Sequence, residues 1–120
     1  MPIRRIDHVQ LAMPPGREDD ARRFYGDVLG LREIPKPSVL RDRGGLWFAL
    51  GDTEIHLGVE EDFRAAKKAH VGFEVDDFDA VLERCRSAGF EPRPDQPVSG
   101  RRRVFIDDVF GNRLELIMTK

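Results

Sequence analysis

The sequence predicts an α+β fold built from two βαβββ modules, and three observations carry that reading. Two short strings resemble each other, Asp7-His8-Val9 and Ala69-His70-Val71, and each opens a run of alternating apolar and polar residues. A helical stretch follows each run and ends at a glycine, Gly30 in the first copy and Gly89 in the second. Beyond the glycines the copies stay in register, with 26 residues from Gly30 to His56 and 26 from Gly89 to Glu115. Self-similarity at a fixed spacing marks a duplicated supersecondary unit.

The elements follow in chain order. In the first copy, alternation predicts strands near 4–13, 31–35, 46–51 and 53–59, with a helix near 17–29. Gly30 stands where a helix C-cap needs a positive φ, and Gly51-Asp52 supplies the turn between the last two strands. The second copy has strands near 69–75, 90–93, 102–107 and 113–118 and a helix near 77–88, with Asp76 as N-cap, Gly89 as stop and Gly111-Asn112 as the final turn. Residues 36–45 and 94–101 are rich in Pro, Gly and charge and read as loops. The whole is expected to be one domain, 1–120, with module one at 1–59, a linker at 60–68 carrying one helical turn, and module two at 69–120.

Composition narrows the function classes. Lys and Arg number 20 against 22 Asp and Glu, a formal charge of −2, which removes the electrostatic case for a nucleic-acid binder. No apolar run approaches the roughly 18 residues of a membrane span, and Met1-Pro2-Ile3-Arg4-Arg5 has no apolar segment of a secretory signal. Cys85 is the single cysteine, so an internal disulfide is excluded and a reducing, cytoplasmic location is the expectation.

Strand side chains alternate between faces. Val9, Leu11 and Met13 oppose His8, Gln10 and Ala12; Ile55, Leu57 and Val59 oppose Glu54, His56 and Gly58. In the second copy, Val71, Phe73 and Val75 oppose His70, Gly72 and Glu74, and Leu114, Leu116 and Met118 oppose Arg113, Glu115 and Ile117. The apolar faces should take the helices. All three histidines and Glu115 fall on the polar faces, at repeat-equivalent positions: His8 with His70, His56 with Glu115. Ordinary surface histidines and a metal site both fit that placement. Imidazole and carboxylate ligands suit Zn, Ni, Mn, Fe(II) or Co. Arg101-Arg102-Arg103 reads either as a receiver for an anionic substrate tail or as charge guarding a strand edge. Trp47 and Phe48 are core or cavity wall, and Tyr25 is packing.

Four segments, Ile6-Asp7-His8-Val9, Arg23-Phe24-Tyr25-Gly26-Asp27-Val28-Leu29-Gly30-Leu31, His70-Val71-Gly72-Phe73-Glu74-Val75 and Asp107 to Leu116 with its Phe110-Gly111-Asn112, resemble the vicinal oxygen chelate superfamily. That superfamily contains glyoxalase I, bleomycin-resistance proteins and extradiol dioxygenases. The resemblance implies two βαβββ modules whose curled mixed sheets form a cavity with the helices outside, and a homodimer. It maps metal ligands onto His8, His70 and Glu115, with the fourth position at His56, where glyoxalase I carries a carboxylate. The function implied is a divalent-metal-dependent enzyme of lyase, isomerase or transferase type. Its Lewis-acid cation would activate a small oxygen-chelating substrate, with Glu115 as ligand alone or also as proton carrier. Glu54 and Glu74, on the polar faces by alternation, read either as alternative bases or as solvated strand-end carboxylates. The alternative is a metal-free drug-sequestering protein of the bleomycin-resistance kind.

Overall fold

The computed structural model describes residues 1–120 as two compact units, Met1–Arg64 and Ala65–Lys120. The first unit runs β1 (His8–Met13), helix α1 (18–28), β2 (Arg32–Ile34), a 3-10 helix (Ser38–Arg43), β3 (Leu46–Leu50) and β4 (Thr53–Val59). The second runs β5 (Val71–Val75), α2 (Phe78–Ser87), β6 (Arg93–Val98), β7 (Arg101–Asp107) and β8 (Arg113–Met118). Each unit is thus a βαβββ module. Its sheet is four-stranded and mixed, ordered β1-β4-β3-β2 in the first and β5-β8-β7-β6 in the second. In both, the first and last strands pair in parallel and the other pairs are antiparallel.

The pleat sorts the side chains as the alternation requires. Leu46, Phe48, Ile55 and Leu57 are buried in the first unit, as are Phe73, Val104, Ile106, Leu114 and Leu116 in the second. Helix α1 opens as an α-helical turn, Glu18–Ala21, and continues as a π-helix, Arg22–Val28. Its wider turn is visible in the Leu29 N–H, which donates to the Phe24 carbonyl at 2.9 Å, five residues back. The adjacent Phe24 and Tyr25 are both wholly buried, and the Tyr25 ring lies 5.8 Å from that of Phe48 in β3. Helix α2 buries Phe78, Leu82 and Cys85. The backbone N–H of Phe90 donates to the Cys85 carbonyl at 2.8 Å, and Gly89 takes φ +91°, closing the helix with a Schellman-type turn.

The β7–β8 turn explains the Asp108 to Asn112 segment. The Asp108 carboxylate accepts from the backbone N–H groups of Phe110 and Asn112, both at 2.8 Å, and from the Asn112 side-chain amide at 2.9 Å. Both side chains are buried, and Gly111 between them adopts φ +91°. These residues build a turn, not a reaction centre.

Four local details differ from the sequence expectation. Strand β1 starts at His8, opposite Glu54, rather than near residue 4. Strand β6 occupies residues read mostly as loop. The residues of 60–68 form turns and bends without helix. The residue before α2 is Asp77, at φ +47°, while Asp76 accepts a hydrogen bond from Thr119 Oγ1 at 2.5 Å. No helix is long and apolar enough to cross a membrane.

Two outcomes follow from this packing. Asp108→Ala removes the acceptor of three hydrogen bonds in the β7–β8 turn and should lower unfolding free energy by about 2–4 kcal/mol in urea titration. Burial pushes the Cys85 thiol pKa up, against the opposing pull of Arg84 and Arg86. The raised value keeps the thiol protonated at neutral pH. Thiol-directed reagents should therefore leave the folded chain unlabelled and label it fully in denaturant.

Candidate functional site

In the first unit, parallel register sets His8 beside Glu54 and Gln10 beside His56, and antiparallel register sets Trp47 beside His56. All share the polar face of the sheet. The His56 ring is stacked on both sides, with Trp47 at 3.9 Å and 2° and His8 at 4.4 Å and 15°. It is only 4% exposed, and its Nε2 lies 2.9 Å from Glu54 Oε1. His8 is the open end of the stack; its Nδ1 lies 3.0 Å from Asp7 Oδ2. That contact, with Arg5 adding to it, holds the Asp7 carboxyl below its ordinary pKa. A carboxylate on one ring nitrogen fixes an imidazole's tautomer and leaves the other for a ligand.

In the second unit, His70 precedes β5 and Glu115 lies in β8. His70 Nε2 is 3.0 Å from Glu115 Oε1, while His70 Nδ1 lies 2.9 Å from the Lys68 carbonyl oxygen. A carbonyl only accepts, so Nδ1 carries a proton. The other nitrogen then faces a carboxylate oxygen, and in a neutral imidazole that is lone pair against anion. A cation between them, a proton or a metal ion, removes the repulsion. Two ligand atoms bonded to one ion at roughly 2.0–2.2 Å sit roughly 3.0–3.5 Å apart, which the pair satisfies. His70 and Glu115 therefore fit a divalent cation as a two-ligand start. Within neither unit do three or more His, Cys, Asp or Glu side chains converge to hold one.

Arginines share the polar face of the second sheet with Glu115. The parity set by buried Val104 and Ile106 divides Arg101-Arg102-Arg103 between the two faces. Arg102 lies on the helix side, its guanidinium 5.0 Å over the Phe78 ring and 2.9 Å from Asp79. Arg101 and Arg103 lie on the Glu115 side, with side chains 18% and 17% exposed. Arg103 is 3.6 Å from Glu115 and is held by Asp95 at 3.2 Å and by the Gln96 carbonyl at 2.8 Å. Arg113 lies 3.9 Å over Phe105. The Nε–H groups of Arg101 and Arg113 are buried without a hydrogen-bond partner. Treating all three as one edge run missed this split, which the alternation of Val104 and Ile106 already encoded.

Glu54 and Glu74, the two further carboxylates singled out as bases, have different surroundings. Glu54 is engaged with His56. Glu74 is more than half exposed and pairs with Arg101 at 3.0 Å. The sequence reading also missed Asp7 as the partner of His8 and Trp47 as the cover of His56. Cross-strand register, not local pattern, reveals Trp47.

The family described as Glyoxalase/Bleomycin resistance protein/Dioxygenase superfamily matches residues 5–116. A glyoxalase family protein from Bacillus anthracis is 45% identical, with a TM-score of 0.93 over 98% of this chain and 97% of that one. Lactoylglutathione lyase from Agrobacterium tumefaciens has a TM-score of 0.75 at 22% identity, covering 98% of this chain and 96% of its own. The fosfomycin resistance protein of Listeria monocytogenes has a TM-score of 0.74 at 17% identity, covering 98% and 95%. At those identities the last two share the fold. No curated protein matches the chain.

The ring stack has a measurable consequence. His56→Ala removes the contact with the single tryptophan and frees Glu54. It should cost about 1–3 kcal/mol of stability and change Trp47 emission in the native state, both read from one fluorescence-detected urea titration.

Proposed function

Because the chain belongs to the glyoxalase/bleomycin resistance protein/dioxygenase superfamily, we propose that it is a divalent-metal-dependent enzyme acting on a small oxygen-chelating molecule, of lyase, isomerase or transferase type. The observation that carries the reading is His70, bound to an acceptor at each ring nitrogen, with Glu115 supplying the anionic one. A divalent ion bound there would stabilise developing negative charge on a substrate oxygen.

The roles of the chain's own residues follow from their partners. His70 and Glu115 hold the cation, and the Lys68 carbonyl fixes the His70 tautomer. His8 and His56 are proposed as ligands on the polar face of the first unit's sheet. Arg103 orients the Glu115 carboxylate, and the unpartnered Nε–H groups of Arg101 and Arg113 offer donors to substrate oxygens. Glu115 also carries the proton in the proposed reaction, and Glu54 is the candidate base beside His56. Glu74 can serve as a base only after release from Arg101. Curling of each sheet's polar face into a cavity wall, a homodimer and a cytoplasmic location complete the proposal.

The second reading, a metal-free protein that sequesters a drug, draws on the lack of a three-ligand cluster within either unit. Metal content separates the two. After reconstitution with Zn, Ni, Mn or Fe(II), mass spectrometry should find about one ion per chain. His70→Ala and Glu115→Ala should each remove it, and His8→Ala should weaken it. Absence of bound metal under all four conditions selects the sequestering protein. Metal retained in both the His70 and Glu115 variants overturns the ligand assignment.

A further inference from the structure

A pocket of about 190 Å³ opens on the polar face of the first unit's sheet. Its floor is Gly58, where a Cβ would stand 2.5 Å from the Gln10 amide nitrogen, so only glycine leaves both the floor open and Gln10 in place. Trp47 lines it, as do Leu40 and Arg43 of the 3-10 helix. Lys36 ties the loop shut by donating to the Gly44 carbonyl.

The lining has a definite chemistry. Its only charged residues, Lys36 and Arg43, are cationic. The carboxylate behind the loop, Glu18, is committed to the backbone N–H of Gly45 at 2.9 Å. Lys36 is likewise engaged, but Arg43 makes no hydrogen bond or ion pair within the chain. A guanidinium presents a planar fork that matches a carboxylate. Trp47, Leu40, Leu57 and Val59 supply the apolar remainder. An apolar cavity of about 150 Å³ accepts benzene, so this pocket has room for one ring and its substituent. The Gln10 amide can both donate to and accept from a neutral oxygen on that substituent.

We propose that this pocket binds a small carboxylate with a ring-sized apolar body, its carboxylate on Arg43 and its body between Trp47 and Leu40. The proposal rests on the reading that the polar face of the first sheet meets the substrate, and it names the class of that substrate.

The test uses benzoate on the full-length chain, with benzyl alcohol and phenyl phosphate as comparison probes. Trp47, the only tryptophan, reports binding by fluorescence, and calorimetry gives an independent affinity. Benzoate should bind, and benzyl alcohol should bind at least tenfold more weakly. Arg43→Gln should cost benzoate about tenfold, the loss of a charge-assisted hydrogen bond, and Arg43→Lys should recover part of it. Leu40→Asp should abolish binding with melting temperature unchanged. Equal affinity for benzyl alcohol, an unchanged affinity in Arg43→Gln, or no benzoate binding overturns the proposal. Tighter phenyl phosphate overturns the carboxylate assignment. Metal binding is measured in parallel: a chain that binds metal but not benzoate loses this substrate class and keeps the metal reading. A His70→Ala chain that loses metal but still binds benzoate keeps the pocket.

Discussion

The parallel pairing of the first and last strand in each module is the constraint on which the chemistry depends. It joins residues more than forty positions apart, setting His8 beside Glu54 and Gly72 beside Glu115. A parallel pair needs a crossover, and the helix and two intervening strands provide it. That helix covers one face of the sheet with apolar side chains, so the pleat leaves the other face to polar ones. A one-residue slip of β4 or β8 would send His56 or Glu115 into the core and bring Ile55 or Leu114 out. The buried Leu, Ile and Phe residues of the helix side therefore hold the register on which the polar side relies.

Within that frame the polar faces differ in character. The first is built from rings, with His56 buried between Trp47 and the more exposed His8 and with Asp7 and Glu54 at the imidazole nitrogens. The second is built from charges, with Glu115 between His70 and Arg103, and Arg113 resting on Phe105. Duplication supplied equivalent backbone positions, and divergence filled them unequally. The His70 ring meets an acceptor at each nitrogen, whereas the His56 ring is stacked on both faces and meets Glu54 at Nε2.

The repeat, the helix ends and the division of faces were legible because each is local or periodic. Gly30 and Gly89 announced the helix stops, and alternation placed His8, His56 and Glu115 on the polar faces of their strands, while His70 stands just ahead of β5. Strand β6 was hidden because Pro94 and Pro97 read as loop. Proline is tolerated there because β6 is an edge strand, whose ladder slips between Asp95 and Val98. Asp108 and Asn112 looked like part of a functional motif, yet their hydrogen bonds close a turn. Alternation put Gly58 on the polar face, but the pocket's walls were not legible, since Gln10, Arg43 and Trp47 meet there only through tertiary packing.

Whether His70 and Glu115 hold a metal ion between them is read at the imidazole itself. Nitrogen-detected NMR of the His70 ring, recorded before and after addition of Zn(II), separates its two nitrogens. The account predicts a large shift at Nε2 with the Nδ1 proton retained on the Lys68 carbonyl, and loss of that response in Glu115→Ala. An Nε2 signal that ignores Zn(II), or that responds equally without Glu115, would contradict it.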